Sequence, residues 1–190
     1  MQPLAVDPAG QPSTPPEPGA RQRAARVRLL AMDVDGTLTE GGLLIGADAE
    51  VAKAFSVRDG FGLTLLCRAG IELVLITGRQ SAIVERRATE LGIVRVHQSV
   101  KDKLAMLQHV CRECGIGLDE AAFIGDDWPD LPPMSACGLA AAPADAVEEV
   151  RRAAHWVAGT PAGKGAVREL AMFILDAQGR REDLLAQYRA

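Results

Sequence analysis

The sequence predicts an α/β fold, a parallel β-sheet covered by helices on both faces with a β-hairpin projecting from its edge. Three observations predict it. Short apolar runs alternate with stretches of helical periodicity from residue 27 onward. Three of those runs end in small, acidic or hydroxyl residues, where open α/β sheets gather ligands. One segment, 38–58, breaks the alternation and carries the turn signals of a hairpin.

Composition supports a single domain. A chain of 190 residues with 48% hydrophobic content can bury one core, which argues against wholesale disorder. A formal net charge of -4 gives no electrostatic footprint for nucleic acid, so a phosphorylated ligand must meet local positive charge. No run of about 18 apolar residues is present, so no membrane span is expected. The N-terminus lacks a basic segment followed by an apolar core, and the expected location is the cytoplasm.

Residues 1–25, rich in Pro, Ala, Gly and Gln, read as a disordered tail. The expected phosphate-handling domain covers 26–178, and a short C-terminal tail covers 179–190. Within the domain, residues 27–34 form an apolar run ending in acids, which reads as a buried strand. Residues 71–76 give a second strand, 94–96 a weak third, 121–124 a fourth and 138–140 a possible fifth. Helices are expected at 62–68, 81–91, 101–114, 145–153 and 164–177. In 101–114, Leu104, Leu107, Val110, Cys111 and Cys114 recur at helical spacing. In 38–58, Gly41-Gly42, the run 43–45, the turn at 46–48 and the run 51–57 read as the hairpin.

The Cys111-x-x-Cys114 pair lies late in its helix beside His109, with no second pair to complete a zinc site. With Cys67 and Cys137 it is read as structural and reduced.

The strand ends carry the chemistry. The first ends in Asp33-Val34-Asp35-Gly36-Thr37, the second in Thr77-Gly78-Arg79 and the fourth in Gly125-Asp126-Asp127. Asp33 and Asp35 are two residues apart, so in extended chain they project to the same side. Side-by-side carboxylates repel, and a divalent cation relieves this; Asp126 and Asp127 add the hard oxygens that magnesium prefers. One aspartate can then attack phosphorus while the other moves the proton. Thr77 and Lys103 are the available hydroxyl and cation for a transferred phosphoryl group. Each piece has an ordinary reading, as helix cap, turn or surface lysine, but one mechanism needs all of them together.

In this order the motifs resemble the haloacid dehalogenase superfamily of aspartyl-phosphate phosphatases. That resemblance implies a Rossmann-like sheet, with Asp33 as nucleophile and Asp35 as acid/base. It implies Thr77 and Lys103 as phosphoryl-binding groups, and Mg2+ held by Asp33, Asp35 and, chiefly, Asp126. Only 39 residues separate Thr37 from Thr77, and the sheet's own elements use them, leaving no room for a cap domain. The segments Phe55-Ser56-Val57-Arg58-Asp59-Gly60-Phe61-Gly62, Val84-Glu85-Arg86-Arg87 and Gly165-Ala166-Val167-Arg168-Glu169 sharpen the likeness. They resemble the lidless branch that hydrolyses 3-deoxy-D-manno-octulosonate 8-phosphate for lipopolysaccharide synthesis.

The branch implies a homotetramer whose hairpins pack around the symmetry axis, and a C-terminal tail that can reach a neighbour's site. It implies a small phosphorylated sugar acid as the partner, with candidate substrate-binding residues Arg58, Gly60, Gly78, Arg79, Arg87, Asp127 and Arg168; arginines suit its carboxylate and phosphate. Neither nucleic acid nor membrane is an expected partner. Glu40, Ser99 and Trp128-Pro129 depart from the family's usual residues without removing a catalytic group. Two alternatives remain open here: a phosphatase for a nine-carbon sugar acid 9-phosphate, and a non-catalytic oligomerisation module.

Overall fold

The computed structural model describes residues 17–47 and 49–189. A six-stranded sheet in the order β5-β4-β1-β6-β7-β8 forms its centre, and every pairing in it is parallel. The strands are β1 (Leu29–Met32), β4 (Glu72–Ile76), β5 (Arg95–His97), β6 (Ala121–Ile124), β7 (Leu139–Ala142) and β8 (Trp156–Val157). The separate antiparallel pair β2 (Leu44–Ile45) and β3 (Glu50–Ala52) is the expected hairpin.

Alternation along each strand divides the core in two. Leu30 and Met32 of β1 join a layer with Leu63 and Leu66 of α2 (Val57–Arg68) and Leu170 and Ile174 of α7 (Ala166–Ala177). Leu29 and Ala31 face the opposite layer, with Leu107 and Val110 of α4 (Lys103–Cys114) and Met134 of α5 (Leu131–Ala136). Two further helices, α3 (Ala82–Leu91) and α6 (Glu148–Ala153), complete the expected set. The covered parallel sheet explains why its strands read as continuous apolar runs. No helix among the described residues is long and apolar enough to cross a membrane.

Several boundaries differ from the sequence reading, each for a physical reason. Residues 1–16 of the expected tail lie outside the described residues, but its end is a helix, α1 (Ala20–Ala25). Ala20 and Ala24, one turn apart, are buried, and Arg23 donates to the Gly138 carbonyl at 2.9 Å. Gln178 donates to the Val27 carbonyl at 2.8 Å, tying the segment to the end of α7. Small side chains let α1 seat closely while giving no apolar run in the sequence.

Helix α2 begins five residues earlier than its glycines suggest. Ser56 caps it by accepting from the Asp59 amide at 3.3 Å. A Cβ on Gly62 would lie 3.1 Å from Arg168 Cα, so this glycine permits close α2–α7 packing rather than breaking the helix. The short edge strand β8 had no run to announce it. The expected C-terminal tail contains α8 (Arg181–Ala186), where Leu184 is buried. All four cysteines are free, and burial pushes the Cys137 thiol up to about 12, far from a reactive thiolate.

Candidate active site

The site lies just beyond the carboxyl ends of β1, β4 and β6. Asp33 follows the last residue of β1 and donates its amide to the Ile124 carbonyl at 3.1 Å. Lys103 opens α4, whose cap Asp102 accepts from the Ala105 amide at 2.9 Å and sets the direction of entry. The Lys103 ammonium lies 2.8 Å from Asp33 Oδ1 and 2.6 Å from Asp130 Oδ1, and all three side chains are buried. The other oxygen of Asp130 accepts from the amides of Asp126 (3.0 Å) and Asp127 (3.3 Å). Asp130 therefore fixes both the lysine and the loop after β6. Gly125 makes room for it, since a Cβ there would meet the Asp130 carboxylate carbon at 2.3 Å.

Burial raises the Asp33 carboxyl to about 6, with Asp130 adding to the rise and Lys103 opposing it. Burial, followed by repulsion from Asp33, raises Asp126 to about 7. Burial works against the Lys103 ammonium, but Asp33 and Asp130 outweigh it and its pKa rises above the ordinary lysine value.

The geometry fits a hard divalent cation. Asp33, Asp126 and Asp130 each present a carboxylate oxygen within 4.8 Å of the others. Asp130 is already engaged on both oxygens, so of the three acids Asp33 and Asp126, each with one oxygen engaged, are the candidate metal ligands. Thr37 donates to Asp126 Oδ1 at 2.9 Å and orients it. A Cβ at Gly36, where φ is +90°, would lie 2.2 Å from Asp126 Oδ2. That residue must be glycine for the acid to sit where it does. Gly36→Ala is expected to weaken Mg2+ binding about 10–100-fold, as lost second-sphere support typically does. Calorimetric titration with Mg2+ checks this, and an unchanged affinity would contradict it.

The two raised carboxyls also set a pH dependence. Without metal, their contribution to stability is complete below about 3.8 and is lost as pH rises through about 6 and 7. Mg2+ binds the ionised pair, so its stabilising effect should grow over the same interval. Melting curves with and without Mg2+ should separate widely at pH 8 and converge below pH 5.5; equal separation at both would contradict the assignment.

The Asp35 side chain lies outside the cluster of Asp33, Asp126 and Asp130 carboxylate oxygens. The strand ends at Met32, so the two-residue alternation no longer applies at Asp35. Its Oδ1 bonds Lys53 of the hairpin, and its Oδ2 faces Arg79 Nε at 3.6 Å. Lys53 also lies 2.8 Å from Glu50 Oε1, while Ser81 donates to Glu50 Oε2 at 2.5 Å. Burial opposes the Lys53 charge, yet its hydrogen bonds to Asp35 and Glu50 raise its pKa above the ordinary value. Thr77 is buried at the end of β4, adjacent to β1, with its hydroxyl 3.4 Å from the Arg79 amide.

The substrate-binding candidates divide. Arg79 borders Asp35, and Gly78 follows Thr77 against the Val100 carbonyl. Asp127 lies in the metal loop, where its side chain accepts from the Trp128 amide at 2.7 Å, and Trp128 is 62% exposed. Arg58 is exposed on the first turn of α2 and makes no ion pair among the described residues. Within one chain Arg87 and Arg168 are not brought to the acidic centre. Arg87 packs against Gly60, lies 5.9 Å from the Phe55 ring centroid and bonds Glu90 at 3.2 Å. Arg168 stacks 5.0 Å from the Phe61 ring centroid in the groove between α2 and α7. Spacing placed both arginines on the right helices but could not assign their faces.

Residues 48–138 match the haloacid dehalogenase-like hydrolase family. The 3-deoxy-D-manno-octulosonate 8-phosphate phosphatase of Yersinia pestis is 41% identical over 85% of this chain and 86% of its own length. That of Haemophilus influenzae is 39% identical over 84% and 89%. The Moraxella catarrhalis phosphatase, solved with magnesium, phosphate and KDO, superposes with a TM-score of 0.87. It is 40% identical and covers 89% of this chain and 97% of that one. The Yersinia pestis structure gives 0.85 at 38% identity, covering 95% and 96%. With identity and fold shared over nearly the whole domain, the chain belongs to the haloacid dehalogenase-like hydrolases, in the family of the 3-deoxy-D-manno-octulosonate 8-phosphate phosphatases.

Proposed function

We propose that this chain hydrolyses 3-deoxy-D-manno-octulosonate 8-phosphate to the free sugar acid and phosphate, in lipopolysaccharide biosynthesis, through a phosphorylated Asp33. The observation that carries the reading is the buried Lys103 ammonium between Asp33 and Asp130, with Asp126 beside them at the strand ends. Burying these charges is costly, and a phosphoryl-transfer centre gives them a use that a silent oligomerisation module would not.

In this reading Asp33 attacks phosphorus as the bond to the sugar oxygen breaks, and Asp35 gives that oxygen its proton. Asp35 then takes a proton from water, which attacks the phosphorus of the acyl phosphate and frees Asp33. Thr77 and Lys103 hold the equatorial phosphoryl oxygens. Magnesium, held by Asp33 and Asp126, supplies the positive charge that lets acids and phosphate dianion share the site. Arg79, beside Asp35, is the best-placed arginine for the substrate's anionic groups.

The chain is also read as a homotetramer. Support comes from the hairpin, where Leu44, Ile45 and Val51 are 58%, 68% and 65% exposed, an apolar edge that suits burial against other copies. Cytoplasmic residence accords with four free thiols.

Phosphate release tests the substrate. The eight-carbon 8-phosphate, a nine-carbon sugar acid 9-phosphate and an aryl phosphate are compared with Mg2+. A clear kcat/KM preference for the eight-carbon substrate, abolished by chelator, is expected. Preference for the nine-carbon substrate would move the assignment, and no release from any would overturn it.

A further inference from the structure

The hairpin does more than offer an apolar edge: its base is wired to the Asp35 carboxylate. Lys53, the residue after β3, has a side chain only 1% exposed and bonds Asp35 Oδ1. Behind it, Glu50 Oε1 lies 2.8 Å from the same ammonium, and Glu50 Oε2 accepts from Ser81 at 2.5 Å. Arg79 closes the ring, 3.9 Å from Glu50 and 3.6 Å from Asp35 Oδ2. Three segments thus meet in one circuit, the loop after β1, the hairpin and the loop after β4, with Lys53 buried at its centre and Arg79 at its exposed edge.

The two oxygens of Asp35 end up unequal. Oδ1 is occupied by Lys53, whereas Oδ2 is buried and has no hydrogen-bond partner among the described residues. A carboxylate that must deliver a proton to one oxygen and later collect one from water needs a fixed oxygen facing the substrate. Free rotation about the side chain would spoil that.

We propose that Lys53, held from behind by Glu50, is a positioning residue that clamps Asp35 Oδ1 and presents Oδ2 to the reacting groups. The inference rests on reading Asp35 as the acid/base. It makes the hairpin part of the catalytic apparatus of its own chain, in addition to any role in assembly.

The test uses the full-length protein with Mg2+ and the eight-carbon sugar acid phosphate. Lys53→Ala is expected to lower kcat about 10–100-fold, part of the 10²–10⁴-fold typical of positioned proton transfer, with KM changed less than about threefold. Methylammonium added to this variant should restore kcat severalfold by refilling the vacated ammonium site. Wild-type kcat in Lys53→Ala, or a loss accompanied by a raised KM and no amine rescue, would overturn the proposal. If Lys53→Ala does not fold, Glu50→Gln decides: a lower kcat at unchanged KM supports the clamp, and wild-type kcat overturns it. Asp35→Asn separates the two layers of the argument. If it keeps wild-type turnover, the acid/base reading fails; if it is inactive while Lys53→Ala is fully active, only the clamp fails.

Discussion

Replacing Asp33 by asparagine lowers kcat by at least about 10⁴-fold while leaving the fold intact. Asparagine keeps the shape and an oxygen for Lys103, so the pocket survives. It cannot form the acyl phosphate, and the remaining groups can only bind. Asp33 is raised to about 6 by burial, so its ionised form works against folding above that pH. The neutral variant should therefore melt no lower than the parent at pH 8 without metal. A variant that is both inactive and unfolded would show a structural role only, and one that turns over normally would remove Asp33 from the mechanism.

Lys103→Met should be the more damaging change to stability. It leaves Asp33 and Asp130 facing each other in a buried site, with Asp126 within reach of both. Removing one partner of a buried charge cluster costs about 3–5 kcal/mol. The loss should be greatest at pH 8 and shrink below about pH 6, where Asp33 and Asp126 take up protons. Mg2+ should recover part of it, because the cation replaces charge that the lysine supplied. Denaturation titrations at pH 8 and pH 5, with and without Mg2+, read all three. A variant as stable as the parent at pH 8 would contradict the electrostatic account.

The sheet and its chemical ends were legible because both are local. A buried parallel strand writes itself as a run such as residues 121–124, and all four of those residues are indeed fully buried. The motif residues sit at strand ends, so their spacing reports their position directly. What was not legible depends on the backbone's path or on distant partners. Asp35 left the strand's alternation at the turn after Met32, and Lys53, eighteen residues away, has no local signal that ties it to Asp35. Asp130 lies three residues beyond Asp127, and its grip on Lys103 required the fold. Gly60 and Gly62 concealed the first half of α2, because a glycine that permits packing reads like one that breaks a helix. The facing of Arg87 and Arg168 toward Phe55 and Phe61 is a rotation about a helix axis, which the sequence of a half-buried helix leaves open.

The central claim is that Asp33 carries the phosphoryl group between substrate and water. Acid quenching of the Asp35→Asn variant during reaction with substrate and Mg2+, followed by peptide mass spectrometry, measures this directly. The account predicts one added phosphoryl group on the peptide containing Asp33, located at that residue and absent when chelator is present. Substrate consumed with no label on Asp33, or label found on another residue, would contradict it.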